Sequence, residues 1–467
     1  MTPFKTAAAF GALLVAAPAV AQHAGHDMGG MPMPAPAPAP APAPVPDPDP
    51  ASHPDHAIPQ AQPEDHRQHQ EHDMAGMAMP GSARPHGMTG ALGAYPAARE
   101  ASGTAWQPDG SIHSGLHLMA GDWTLMVHAN LTLVQDWQSG PRGDDKAFAA
   151  GMVMGMARRD IGSGTLQFRT MLSPDPLMGR RGYPLLLAAG ETADGVTPLV
   201  DRQHPHDLFM ELSASYSVPL GPDASAFLYA GLPGEPAFGP PAFMHRMAIV
   251  DSPEAPITHH WLDSTHITFG VVTAGLILGR VKLEASRFNG REPDERRWNI
   301  ETGPLDSTAV RVSWNPTANL SLQASWAHLV SPEQLGPDEN SNRWSASALY
   351  TRRFGTDNWF SATLAWGNRD GAEAVAVEAG LGLGLWTLYG RAEYAQNNEL
   401  TFAGGHHGPI YDVGKVSLGA IRDFRLAPHL RLGLGAQVTQ NFVPTALDAL
   451  YAGDPRGAMA FVRLKLE

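Results

Sequence analysis

The stretch from Asp122 to Asp136 reads DWTLMVHANLTLVQD. Successive side chains of an extended chain point to opposite sides. Trp123, Leu125, Val127, Ala129, Leu131 and Leu133 therefore share one face, and Thr124, Met126, His128, Asn130 and Thr132 share the other. This is a strand with one oily and one polar face. The same alternation returns at Leu430–Val438, and again where Val462, Leu464 and Leu466 oppose Arg463 and Lys465.

Working outward, the pattern predicts about sixteen strands: 122–137, 148–158, 164–173, 207–219, 225–232, 265–276, 280–289, 307–315, 320–330, 342–354, 358–367, 373–381, 386–396, 413–425, 428–441 and 457–466. Short turns such as Pro222-Asp223, Gly279-Arg280 and Gly355-Thr356-Asp357 alternate with longer loops. Strands of about ten residues with such connections are the signature of a transmembrane antiparallel β-barrel. Trp123, Trp137, Tyr216, Trp314, Trp326, Trp344, Tyr350, Trp359, Trp366, Trp386 and Tyr394 lie near strand ends, as interfacial girdles require. Arg311, Arg352, Glu378, Arg391, Glu393, Lys415, Arg422 and Arg431 are assigned to the face opposite the oily one, which suits a wet lumen. A soluble β-sandwich also has many short strands, but it has no use for that charged inner face.

Residues 1–21 read as a signal peptide, with Lys5, an apolar run from Ala7 to Ala17 and an Ala19-Val20-Ala21 cleavage site before Gln22. No later segment reaches the ~18 apolar residues that a spanning helix needs; Val271–Leu278 comes nearest. The chain has no cysteine, which excludes thiolate catalysis and disulfides. A net charge of −14 argues against a nucleic-acid partner and suits the collection of cations.

Residues 22–110 show no periodic apolar pattern and are expected to be a disordered tail ahead of a barrel over 111–467. Two copies of one motif stand in it, HDMGGMPMP from His26 and HDMAGMAMP from His72, identical at seven of nine positions. The run from Ala35 to Pro50 between them is nearly pure Ala-Pro and Asp-Pro, a polyproline spacer of roughly 50 Å. Thioethers select Cu(I), while imidazoles take Cu(I), Cu(II) or Zn(II). The candidate tail ligands are His23, His26, Met28, Met31, Met33, His66, His69, His72, Met74, Met77 and Met79, with Cu(I) or Cu(II) as the ion. Methionine in a Gly/Pro context has no core to fill, so compositional accident and buffering of zinc or nickel by histidine alone are the weaker readings.

Two further groups lie in the barrel. Met152, Met154 and Met156 share one face of a strand, with Met126 and His128 on the polar face of the strand before it. The ladder lines the lumen as a metal path, or it faces lipid or packs under an inserted loop. Histidines gather in long connections at His204, His206, His245, His259, His260 and His266, and at His406-His407. Of these, His204, His206, His259 and His260 are the candidates for a second metal site at the barrel mouth. No catalytic elbow or phosphate loop is present, and an enzyme is not expected.

The repeats, His26-Asp27-Met28 with Met31 and Met33 and His72-Asp73-Met74 with Met77 and Met79, resemble those of the copper resistance protein B family of bacterial outer-membrane proteins. That resemblance implies the order signal, Met/His tail and membrane barrel. It also implies copper as ligand, outer-membrane lipid and periplasmic copper proteins as partners, and a tail in the periplasm. The alternative is a porin-like channel for small anionic or organic solutes, with the tail as a separate buffer. A barrel enzyme using rim His and Ser is a third.

Overall fold

A computed structural model describes residues 88–112, 115–401 and 408–467. The signal peptide, every tail ligand named above, His113 and His406-His407 lie outside the described residues. The strands are β1 (Leu116–Ala120), β2 (Trp123–Gln138), β3 (Asp145–Ile161), β4 (Gly164–Leu172), β5 (Tyr183–Thr192), β6 (Pro198–Gln203), β7 (Phe209–Gly221), β8 (Ala224–Gly231), β9 (Val271–Leu278), β10 (Val281–Phe288), β11 (Ser307–Thr317), β12 (Leu320–Leu329), β13 (Ser341–Phe354), β14 (Asn358–Arg369), β15 (Ala372–Leu383), β16 (Trp386–Asn397), β17 (Tyr411–Ala427), β18 (Leu430–Phe442) and β19 (Arg456–Leu466).

Sixteen of these form one closed antiparallel barrel. Every strand from β7 to β19 pairs with its sequence neighbour, β19 returns to β2, and β4 pairs with β7 across the separate β5–β6 hairpin. Closure satisfies every strand's backbone without leaving an edge, which is what a sheet in lipid requires. The expected alternation holds in the burial. In β15 the even-numbered residues of Ala372–Leu383 are buried and the odd-numbered ones exposed or half-buried, and Leu133, Leu228, Leu364, Leu418, Val438 and Leu464 stand outward. Seven turns on one end are short, such as Ile161–Gly164 and Leu278–Val281. The other end carries the long loops and one tight turn at Asp370-Gly371.

Several expectations are corrected. Arg352 and Arg422 face outward, since the buried positions of β13 and β17 are Thr351 and Asp423. Arg422 instead lies over the Trp386 ring, 5.2 Å from its centroid, in a girdle position. Trp359 points inward, against the site where Gly382 would carry a Cβ. Thr265–Gly270 is not strand; β9 begins at Val271, because the chain before it is turned into the lumen. The boundary at 110 also moves. Met88–Ile112 belongs to the barrel unit, Gly81–Glu467, and much of it is buried. Ser217 and Ser225 donate to the carbonyls of Ala91 and Leu92 at 2.6 Å, Lys282 reaches the Thr104 carbonyl, and Arg311 bonds Thr104 Oγ1 at 3.0 Å. A segment with no apolar period is held here by hydrogen bonds from the wall.

The lumen is partly filled. The connection from Leu232 to Gly270 crosses it and is pinned to the wall by buried ion pairs. Arg246 makes a two-pronged contact with Glu378 (2.8 and 2.7 Å) and a third bond to Asp263 (2.7 Å). Glu254 receives Ser417 (3.0 Å) and Gln437 (2.6 Å) and pairs with Lys415 and Arg391. Asp251 pairs with Arg463. Such pairs add little net stability because both charges lose water, but removing one partner costs about 3–5 kcal/mol. Their effect is to fix one path for the plug.

Candidate functional site

Two of the three expected histidine clusters meet inside the lumen, beneath the long-loop end. One is the His204-Pro205-His206-Asp207 segment after β6. The residue before a proline is kept extended, so no helix forms there. The other lies on the plug, where His259–Leu262 form one helical turn, followed by Ser264–His266. Helical spacing brings residues i and i+4 together, and His259 Nδ1 stands 2.8 Å from Asp263 Oδ1. Gly367 of β14 lets this turn lie against the wall, since a Cβ there would meet the Trp261 carbonyl at 2.3 Å. Gly190, at φ +123°, does the same for the His260 ring.

Each ring has a defined partner. His206 Nδ1 lies 2.8 Å from Asp175 Oδ2, and His266 Nδ1 lies 2.8 Å from the Asp263 carbonyl. With His259 on Asp263, all three Nδ1 atoms face oxygen acceptors, so Nδ1 carries the hydrogen and Nε2 the lone pair. His206 Nε2 and His266 Nε2 then face each other at 3.3 Å. Two nitrogens bound tetrahedrally at ~2.0–2.1 Å to one ion would stand roughly 3.3 Å apart. His259 is the next ring, 4.8 Å centroid to centroid from His266. No group of three or more His, Asp or Glu side chains among the described residues is preassembled to hold a metal ion. The centre offers two opposed lone pairs with a third ring alongside.

Burial and then the neighbouring imidazoles of His259 and His206 push His266 well below the ordinary imidazole value. Burial brings His260 down to about 3. Burial, then Arg297, lowers His204 strongly. Neutral rings are the form that binds metal. Asp263 is also shifted down: although burial opposes it, Arg246 and His259 hold it below the usual carboxylate range, so it stays charged. An oriented imidazole backed by carboxylate or carbonyl is the arrangement that tunes metal-binding histidines.

Of the four loop residues expected as ligands, His206 and His259 are at this centre. His204 and His260 form a neighbouring pair with centroids 5.8 Å apart. His204 Nε2 is engaged by Glu191 at 3.1 Å, and His260 looks toward Glu292 at 3.9 Å. The histidines expected at the mouth lie inside the barrel, because the plug carries its own inward. His266 takes the place expected of His204. Asp175 had no sequence signal beyond being an acid in a long loop.

The methionine ladder faces the lumen, not lipid. Met152 and Met154 are buried, and Met126, Met154, Met156, His128, His245 and Met247 line a cavity of about 480 Å³. Residues of the short-turn end, including Arg353, Arg425, Arg431 and Lys465, border the same cavity. A smaller void of about 50 Å³ shares Met152 and Met244 with it and reaches His206 and Asp175.

No protein-family model matches the chain, and no curated protein matches it in sequence. Solved structures similar to it include Pseudomonas putida OprB (8% identity, 74% of this chain and 94% of that one, TM-score 0.45). The anion-selective porin from Comamonas acidovorans is 11% identical, over 74% of this chain and 100% of that one, with a TM-score of 0.42. Salmonella typhi OmpF in complex with daunomycin is 11% identical over the same shares, with a TM-score of 0.43.

Proposed function

We propose that the chain is a bacterial outer-membrane barrel of the channel class whose lumen takes a metal cation, with copper as the cargo. The closed ladder and apolar outer belt support the membrane assignment. The observation that carries the cargo reading is the 3.3 Å approach of His206 Nε2 to His266 Nε2, both rings fixed at Nδ1 by oxygen. In this reading the Met/His tail stands in the periplasm, gathers copper at the two HDM repeats and exchanges it with the barrel and with periplasmic copper proteins. The membership suggested by those repeats, in the copper resistance protein B family, is part of the same proposal.

The test uses the full chain. Its Cu(II) and Zn(II) equivalents are counted before and after His206→Ala with His266→Ala. Loss of one equivalent is expected, and an unchanged count removes the barrel site. The tail is tested apart, as a peptide over 71–80. It should bind Cu(I) much more tightly than its copy with Met74, Met77 and Met79 changed to Leu.

The second reading is a porin-like channel for small anionic or organic solutes. It draws on the cationic groups Arg353, Arg425, Arg431 and Lys465 around the cavity. Against it, Lys465 and Arg431 both pair with Glu467, and most lumen arginines are neutralised by carboxylates. Metal-independent uptake of a small organic anion by vesicles carrying the full chain would favour this reading.

A further inference from the structure

We propose that the methionine chamber is a second, separate metal site, taking a soft monovalent cation, Cu(I) or Ag(I), between Met152, Met154 and Met244 and the ring of His245. The wall side is set by register. β3 turns Met152, Met154 and Met156 inward, and β2 places Asn130, His128 and Met126 opposite them. His128 Nε2 lies 3.1 Å from Met154 Sδ. The plug supplies the other side, with Met244, His245 and Met247 facing the same cavity. His245 Nε2 is buried there and has no hydrogen-bond partner. A buried imidazole nitrogen without a partner costs free energy unless something binds it.

Met152 and Met154 pack on one side in a buried cluster, against which Met156 and Met244 also lie, and on the other side they border the cavity. Met171 and Met210 belong to the same buried cluster with Ile267 and Phe269, yet neither lines the chamber. They behave as core. Met152, Met154 and Met156 border open volume, on a strand whose inward positions should be polar in a wet barrel. Elsewhere the inward positions include Ser345, Glu378, Arg391, Lys415 and Ser417 beside apolar ones such as Val413, Ile421 and Phe461, which are closed in a core cluster. Thioether sulfur gives water only a weak acceptor, so the methionine-lined part of this cavity is a poor place for water, unlike the charged part at Arg353, Arg425, Arg431 and Lys465. The methionine-lined part is a good environment for an ion that prefers sulfur. Copper as the natural ion rests on the cargo reading above; the site itself does not.

Silver equivalents of the full chain are counted for the parent, for Met152→Leu with Met154→Leu, and for the packing control Met171→Leu with Met210→Leu, with zinc counted in parallel. The chamber variant should lose one silver equivalent and keep its zinc. The control should lose neither. A chamber variant that keeps every silver equivalent overturns the proposal. If that variant loses its heat-dependent gel mobility, the position of silver in crystals of the parent chain decides. Anomalous density between His245 Nε2 and the Met154 sulfur is expected, and silver found only outside the chamber overturns the site. If the parent binds no zinc in the lumen but the silver difference appears, the histidine reading fails and this one stands.

Discussion

The histidine centre and the methionine chamber share one lumen and are built on different principles. At the centre each ring is held by a second group: Asp175 on His206, Asp263 on His259, and the Asp263 carbonyl on His266. Asp263 is itself held by Arg246, which Glu378 fixes to the wall. An imidazole must present one nitrogen in one tautomer, so its geometry is built two layers deep. In the chamber three of the four proposed donors are thioethers on flexible stems, which need no tautomer and little orientation, and the fourth, His245, has no hydrogen-bond partner on its Nε2. Strand register alone sets that wall. The lesson is that the three imidazoles of the centre are oriented by an electrostatic scaffold, while the thioethers of the chamber are set by placement alone.

The difference can be broken by substitution. The largest effect is expected from His206→Ala with His266→Ala, which should remove the whole Zn(II) or Cu(II) equivalent of the barrel while silver binding in the chamber persists. Metal counting on the full chain reads both. Next comes Glu378→Ala, which leaves the Arg246 guanidinium buried without its main partner. A loss of about 3–5 kcal/mol is expected. It should appear as a lower temperature for the gel-mobility shift, with the histidine centre loosened more than the chamber.

Asp175→Asn should act more gently, weakening zinc at the centre by about 10–100-fold without changing silver affinity. Equal weakening of both metals would mean that the two regions are one unit. A pH-dependent effect concerns Glu235, on the plug beside Met171, Met210 and His266. Burial, only partly offset by Arg311, pushes its carboxyl up to about 8. The folded chain keeps a proton there that the unfolded chain releases near its ordinary pKa of about 4.3. Stability from this group is therefore full below about pH 4 and is lost as pH rises through about 8. Glu235→Gln should flatten that fall in the mobility-shift temperature; an unchanged profile would contradict it.

The barrel was legible in the sequence because its outer face meets a uniform solvent. Period-two alternation such as DWTLMVHANLTLVQD follows directly from that, and the sixteen barrel strands appear within a few residues of where the alternation puts them. Ends were missed where the chain leaves the wall, as at Thr265–Gly270, since a plug packed on charged groups carries no period. Met88–Ile112 was missed for the same reason: Gly, Ala and Pro held by wall serines look like tail. The β5–β6 hairpin forms a separate sheet, and β1 is a five-residue strand added to the barrel sheet along β2. Of the site, His206 and His259 were readable as His near carboxylates. The partnership with His266 was not, because only the plug's path brings residues 60 positions apart to 3.3 Å. Parity put Met152 and Met154 on one face but left open whether that face met lumen, lipid or an inserted loop; the structure turns it inward, against the plug.

The most direct test is the position of metal in the lumen. Crystals of the full chain grown with zinc or copper should show anomalous density between His206 Nε2 and His266 Nε2, at ~2.0–2.1 Å from each, with His259 turned toward it. A metal-free lumen under those conditions, with a single proton shared between the two nitrogens, would contradict the account.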